Sequence, residues 1–197
     1  MKKFFVLIAC LLTFPTITLA KEKDKDFFDI KTYEEVYEEG MYKVGKDIDE
    51  GVYRYFSDGD IGAILISNDA NQKDFVMVDQ AEKHGWIEIK DGQYLKLQQV
   101  FIVKQDDIKP IPIKDNKIES GDYLVGFDIP AGEYEIKQVE EYGAYVIHAD
   151  ISREDIVSVG QVNNNEYISL EDGQLLTLKG VEITDDKLVT NELKSDN

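Results

Sequence analysis

Tyr123-Leu124-Val125-Gly126-Phe127-Asp128-Ile129-Pro130-Ala131-Gly132-Glu133-Tyr134 is a second writing of Tyr42-Lys43-Val44-Gly45-Lys46-Asp47-Ile48-Asp49-Glu50-Gly51-Val52-Tyr53. The two lie about 81 residues apart, an offset that holds without a gap from Gly40/Gly121 to Ile102/Ile183 with roughly two in five positions identical. The chain is therefore a duplicated cassette: a first module over residues 40–103 and a second over 121–184.

Within each cassette the apolar period is that of strands. Tyr53 and Tyr55 alternate with Val52, Arg54 and Phe56, and their counterparts Tyr134 and Ile136 alternate with Glu133, Glu135 and Lys137. The Tyr53/Tyr134 side is the core side in both. Gly62 to Ile66 and Gly143 to Ile147 are apolar on both faces and read as central strands. A strand follows at Asp74 to Val78 and Asp155 to Val159. Ile87 to Lys90 then turns through Asp91-Gly92 into Tyr94 to Leu97, and Ile168 to Glu171 through Asp172-Gly173 into Leu175 to Leu178. Asp-Gly between alternating segments predicts a hairpin at the same place twice. A second tight turn is expected at Asp49-Glu50-Gly51 and Pro130-Ala131-Gly132, with the glycine in a G1 bulge. The apolar phase slips by one after Leu97, which predicts a bulge at Gln99/Gly180. With six or so strands per unit and no helical periodicity, the expected fold is all-β, two tandem small β-sandwiches of jelly-roll-like type.

Outside the cassettes, Met1-Lys2-Lys3, an apolar run from Phe4 to Phe14 and Thr18-Leu19-Ala20 have the layout of a signal peptide, residues 1–20, cut after Ala20. Secretion to the extracellular space or cell envelope is expected, with no transmembrane segment in the mature chain. Cys10 follows Leu7-Ile8-Ala9 in the manner of a lipobox, but too few apolar residues precede it to form an h-region. The mature chain then has no cysteine, so disulfides, thiolate zinc sites and a thiol nucleophile are excluded. Residues 21–39 form a charged leader whose weak matches to the segment before the second cassette suggest membership of the duplicated unit. Residues 104–120, with Lys109-Pro110-Ile111-Pro112, read as a stiff extended linker, and 185–197 as a polar tail.

The net charge of −18 and pI near 4.4 argue against nucleic acid and against an anionic membrane surface as partners. Chemistry has few candidates. His84 and His148 each align with a different residue in the other copy and have no metal-binding or catalytic neighbour pattern. No nucleophile elbow, Ser-x-x-Lys or P-loop occurs. One acidic arrangement is repeated, Asp69-x-Asn71-x-x-Asp74 and Asp150-x-Ser152-x-x-Asp155. It offers Ca²⁺ ligands at alternate positions, but its glycine and terminal Glu are missing, and local turns to the backbone account for the same residues. Asp47 and Asp128 are expected to cap the turns that follow them.

The stretch Tyr123 to Tyr134, followed by Tyr167-Ile168-Ser169-Leu170-Glu171-Asp172-Gly173-Gln174-Leu175-Leu176, resembles a recurring module of exported and cell-surface proteins of Gram-positive bacteria. The resemblance covers both cassettes and departs from the pattern at Asp49-Glu50. It implies location and a β-rich fold, and no activity.

The expectation is a non-enzymatic binding protein without cofactors, whose partner is a protein or glycan at the envelope. Its candidate binding residues are Val52, Arg54 and Phe56, on an exposed face that is charged in the second copy, with the aromatics Trp86 and Tyr167. Two alternatives stand beside it: a carboxylate-based hydrolase of envelope polysaccharide, and a structural protein in which the apolar face packs on the other cassette or the leader.

Overall fold

The computed structural model describes residues 33–58, 61–113, 115–185 and 188. The signal peptide, Cys10, the leader up to residue 32 and most of the tail lie outside the described residues. Among those described, no helix is long and apolar enough to cross a membrane.

The chain is all-β. The first module contains β1 (Gly40–Lys43), β2 (Gly51–Ser57), β3 (Gly62–Ser67), β4 (Phe75–Ala81), β5 (His84–Ile89), β6 (Tyr94–Gln98) and β7 (Val100–Lys104). The second contains β8 (Lys117–Ile118), β9 (Gly121–Leu124), β10 (Gly132–Gln138), β11 (Gly143–His148), β12 (Ile156–Val162), β13 (Asn165–Leu170), β14 (Leu175–Lys179) and β15 (Val181–Thr184). Each module is two antiparallel sheets face to face. In the first the orders are β1-β6-β3-β4 and β5-β2-β7; in the second, β9-β14-β11-β12 and β13-β10-β15-β8. Between the sheets lie Tyr53, Tyr55, Ile64, Ile66, Leu95, Leu97 and Ile102 in one module, and Tyr134, Ile136, Ile147, Leu176, Leu178 and Ile183 in the other. These are the alternate apolar positions of the sequence, so period-2 patterning decides the core.

The connections depart from the sequence reading in three places. Among the described residues, the only hairpin of consecutive strands in each unit is β3–β4 or β11–β12. The Asp-Gly turns form, with Gln93 N–H on Lys90 O at 3.1 Å and Gln174 N–H on Glu171 O at 3.2 Å. However, β5 pairs with β2 while β6 pairs with β1 and β3, so each turn carries the chain from one sheet to the other. A turn signal specifies reversal of the chain, not which strand becomes the neighbour.

The predicted bulge at Gln99/Gly180 is also a change of sheet. β6 belongs to one sheet and β7 to the other, and the joining residue is left-handed in both copies, φ 52° at Gln99 and 61° at Gly180. A strand that changes sheets must rotate its apolar side to keep facing the core, which is the phase slip seen in the sequence. True register shifts occur instead at Ile66/Ser67 and Ile147/His148.

Lastly, the tight turn in the duplicated stretch lies upstream of its expected place. Asp47 N–H reaches Lys43 O at 2.8 Å and Gly45 N–H reaches Ile48 O at 2.8 Å, with Asp128 and Gly126 repeating both bonds at 2.7 Å. The left-handed glycines that shape it are Gly45 (φ 84°) and Gly126 (φ 86°). This turn interlocks with the Asp-Gly turn: Val44 N–H bonds Gln93 O at 2.9 Å and Gly92 N–H bonds Val44 O at 3.2 Å. Val125, Gln174 and Gly173 repeat the pattern at 2.9 and 3.0 Å. The side-chain oxygens of Gln93 and Gln174 accept from Lys90 and Glu171 N–H at 2.8 and 2.9 Å. The residues identical between the copies are therefore largely those of two interlocked turns and the core beneath them.

The flanking segments belong to the modules. Tyr37, at the end of the leader, bridges Ile102, and Ile118 of β8, 81 positions further on, pairs with Ile183 in the same way. The stretch expected to be an extended spacer contains a single 3-10 turn at Gln105–Asp107. It buries Ile108 at the junction between modules and Ile111 in the second core.

Candidate functional site: the junction between the modules

β2 is buried on both faces. Tyr53 and Tyr55 enter their own core, while Arg54 and Phe56 point out of it, yet Arg54 is 0% and Phe56 4% exposed. What covers them is the second module. Phe56, Trp86, Val103, Ile108, Leu124 and Leu175 form a third apolar cluster, with Val52, Phe101, Phe127 and Ile151 at its margin. The outer face of the β5-β2-β7 sheet thus rests on the β9/β14 side of the second module. The surface expected to be open is covered by the protein's own second half, fully at Arg54, Phe56 and Trp86 and in part at Val52, because burying the large apolar rings of Phe56 and Trp86 against a matching face removes apolar area from water.

The centre of the junction is ionic. Arg54 Nη2 donates to Asp128 Oδ2 at 2.7 Å, with both side chains fully buried. The same oxygen accepts Trp86 Nε1–H at 3.0 Å and Leu124 N–H at 2.8 Å, while Oδ1 accepts Ile111 N–H at 3.4 Å. The Arg54 guanidinium lies over the Trp86 ring, 4.4 Å from its centroid. Burial lowers the Arg54 pKa, opposed by the Asp128 carboxylate. Asp47, the other copy of Asp128, caps Lys43 N–H at 3.0 Å and stays exposed. Both aspartates cap a turn, but it is the one that ends at them, through the N–H of Lys43 and Leu124, rather than the one expected to follow. Asp128 has in addition become the acceptor for the first module's Arg and Trp.

A second ionic group lies beside it. Arg153 pairs with Asp122 and, at 3.3 Å, with Asp79, and also donates to Trp86 O at 3.3 Å. Tyr55 OH reaches Asp122 Oδ2 at 3.3 Å. Burial raises the Asp122 pKa, and Asp122 in turn raises that of Arg153. Gly85 is needed here, since a Cβ would meet the Tyr55 ring oxygen and Asp122 Oδ2. His84 packs edge-on against Tyr123, with ring centroids 5.1 Å apart. Burial, reinforced by Arg54 and Lys83, pushes its pKa well below the ordinary value, so it is neutral.

Over most of the junction, positions 81 apart in the two modules carry different side chains. Arg153 and Asp122 occupy the positions of Gln72 and Met41, which in the first module only touch, Gln72 Nε2 to Met41 Sδ at 3.8 Å on the surface. Leu124 and Phe127 replace Lys43 and Lys46. Conversely, the face equivalent to Arg54/Phe56 carries exposed Glu133, Glu135 and Lys137, and the partner of Glu135 across the ladder is Tyr167, 77% exposed where Trp86 is 0%. Each module is apolar on the face turned to the other and polar on the corresponding outer face. Such a head-to-tail contact would otherwise continue into a fibre. Asp122, Leu124, Arg153 and Leu175 were not marked as site residues by the sequence reading, and Asp128 was marked only as a turn cap. The signal that could have found them is the change of character at paired positions, Met41 to Asp122 and Gln72 to Arg153.

The repeated acidic loops close on themselves. Asp69 Oδ1 accepts Asn71 N–H at 2.8 Å and its Oδ2 accepts Lys73 and Asp74 N–H at 2.9 and 2.7 Å, while Asp74 Oδ2 accepts Asn68 Nδ2 at 3.1 Å. Asp150 accepts Ser152 N–H at 2.8 Å, and Asp155 leads into β12. These bonds hold the Asp69 and Asp150 carboxyls below the usual range. Among the described residues, no three His, Cys, Asp or Glu side chains converge as metal ligands would. A surface depression of about 410 Å³ is lined by Gly45, Asp49, Glu50, Asp91 and Lys104. There Asp49 pairs with Lys104 at 3.6 Å and Glu50 accepts Asp91 N–H at 3.2 Å; Pro130 and Ala131 replace the two acids in the second copy.

No protein-family model matches the chain, and no curated protein matches it.

Proposed function

We propose that this is a non-enzymatic interaction protein, secreted to the cell envelope or the extracellular space, in which the two modules form a single body that presents its outer strands and faces to a partner. The observation that carries this reading is the placement of the ionisable groups. Arg54, Asp128 and Asp122 are buried and Arg153 is half-buried, and the four are spent on each other between the modules rather than lining a cleft. Large apolar side chains, Val78, Val159 and Tyr167 among them, stand on the surface instead. Secretion is supported by the layout of residues 1–20 and by the resemblance of the cassette to surface modules. Of the five residues proposed from sequence as a binding surface, Tyr167 stands exposed, Val52 is half-buried and the other three are buried.

The test is to incubate the mature protein with Gram-positive cell-wall preparations and follow both co-sedimentation and release of reducing ends. Retention without release is expected. Release of reducing ends above background would contradict the reading in favour of a hydrolase.

A further inference from the structure

The identities between the two modules fall on turns and cores, with one exception. Val76, Val78 and Gln80 of β4 are the same residues as Val157, Val159 and Gln161 of β12, and all are exposed. Val78 and Val159 are each 66% exposed, next to Phe75 and Ile156 at 56% and 60%. No turn or core demands valine there, because the opposite face holds the packing: Ser158 bonds Tyr145 at 3.4 Å, and the Tyr145 ring covers Gly160.

Both strands are also edges. Among the described residues β4 pairs only with β3, and β12 only with β11. Edge strands are ordinarily blunted by charge, proline or brevity. β12 runs seven residues without any of these, within a chain of net charge −18. The charge lies just outside it. Glu154 and Asp155 precede β12, are exposed and make no ion pair among the described residues. Asp74 precedes β4 in the same way, beside Lys73.

We infer that β12, and more weakly β4, is a docking edge for an extended peptide segment of a cationic protein, added as an antiparallel strand with apolar residues over Val157 and Val159 and a basic residue at its C-terminal end. Backbone pairing supplies affinity without demanding a sequence, and the valine face selects alternating apolar residues. An antiparallel strand on β12 brings its C-terminal end to Glu154 and Asp155. Charge decides against a second copy as occupant, since it would bring another −18 to the same edge. β4 is the weaker site because Lys73 stands beside Asp74.

The inference rests on the reading of the protein as a binding module. The probes are two labelled peptides, Thr-Val-Thr-Val-Thr-Lys-Arg and Thr-Val-Thr-Val-Thr-Glu-Asp, titrated into the mature protein by fluorescence anisotropy at low salt. The basic peptide is expected to bind at least about tenfold tighter than the acidic one. Binding should be lost when alternate peptide amides are N-methylated, and should protect Val157–Gln161 amides from hydrogen exchange. Val159→Lys, on an exposed face and checked for an unchanged melting temperature, should weaken binding about fivefold or more. Asp155→Asn should erode the preference for the basic peptide. No saturable binding below about 1 mM, equal binding of both peptides, or indifference to Val159→Lys would overturn the inference. So would concentration-dependent dimerisation abolished by Val159→Lys, which would assign the edge to a second copy. None of these outcomes alters wall co-sedimentation, so the broader reading fails or stands separately.

Discussion

Arg54 of β2 and Asp128, in the turn after β9, meet across the two modules with 2.7 Å between Nη2 and Oδ2, both wholly removed from solvent. A buried pair adds little stability over an apolar pair of similar shape, but removing one member strands a charge. Asp128→Ala should therefore cost about 3–5 kcal/mol. Asp47→Ala, at the equivalent but exposed position, removes a turn bond and an exposed pair with Lys46 and should cost about 1 kcal/mol. Urea denaturation of both variants checks the difference. Combining Asp128→Asn with Arg54→Met, which keeps the Leu124 cap and withdraws the orphaned charge, should recover most of the loss.

His84 makes the junction sensitive to acid. Its folded pKa lies well below 6.5, so the unfolded chain takes up the proton first. Its contribution to stability is intact above about pH 6.5 and declines as pH falls through the window beneath, by at most about 1.4 kcal/mol per unit. Asp122, raised by burial, has the opposite sign, losing its contribution as pH rises. His148, also lowered by burial, acts like His84. Because both remain in His84→Asn, the difference between that variant and the parent isolates His84. Between pH 7 and pH 5 the parent should lose on the order of 1–2 kcal/mol more than the variant, measured by denaturant titration at each pH.

The interlocked turns set different demands on their glycines. At Gly45 a Cβ would run into Asp91 Oδ1, and at Gly126 it would lie 2.9 Å from Asp172 Oδ1, in both cases with positive φ. Gly92 and Gly173 share the left-handed backbone but have nothing within 4 Å. Gly45→Ala should cost roughly 2 kcal/mol or more, backbone strain plus displacement of the turn. Gly92→Asn should cost less than about 1 kcal/mol, since Asn tolerates that conformation. Chemical denaturation of the two variants separates them.

The duplication, the strands and their core faces were legible in the sequence because each is written locally, as a repeat or as a period of two. The sheet to which each strand belongs was not. Asp91-Gly92 marks a reversal whether the chain pairs with itself or crosses to the opposite sheet, and the one-residue slip after Leu97 is compatible with a bulge or a corner. The contrast between Val52/Arg54/Phe56 and Glu133/Glu135/Lys137 marks a face on which the two modules differ, but a single face does not disclose what lies upon it. Its complement, Asp122 and Leu124 of β9 and Arg153 of the β11–β12 loop, sits more than sixty residues away in the other module. Only the fold brings the two differences together.

Trp86, the chain's one tryptophan, hydrogen-bonds Asp128 at the centre of the junction. Its emission therefore reports docking while far-ultraviolet circular dichroism reports the strands of both modules. The account predicts blue-shifted emission in the native protein and one urea transition, with fluorescence and circular dichroism superimposing. Two separated transitions, or native emission at the wavelength of a solvent-exposed indole, would contradict it.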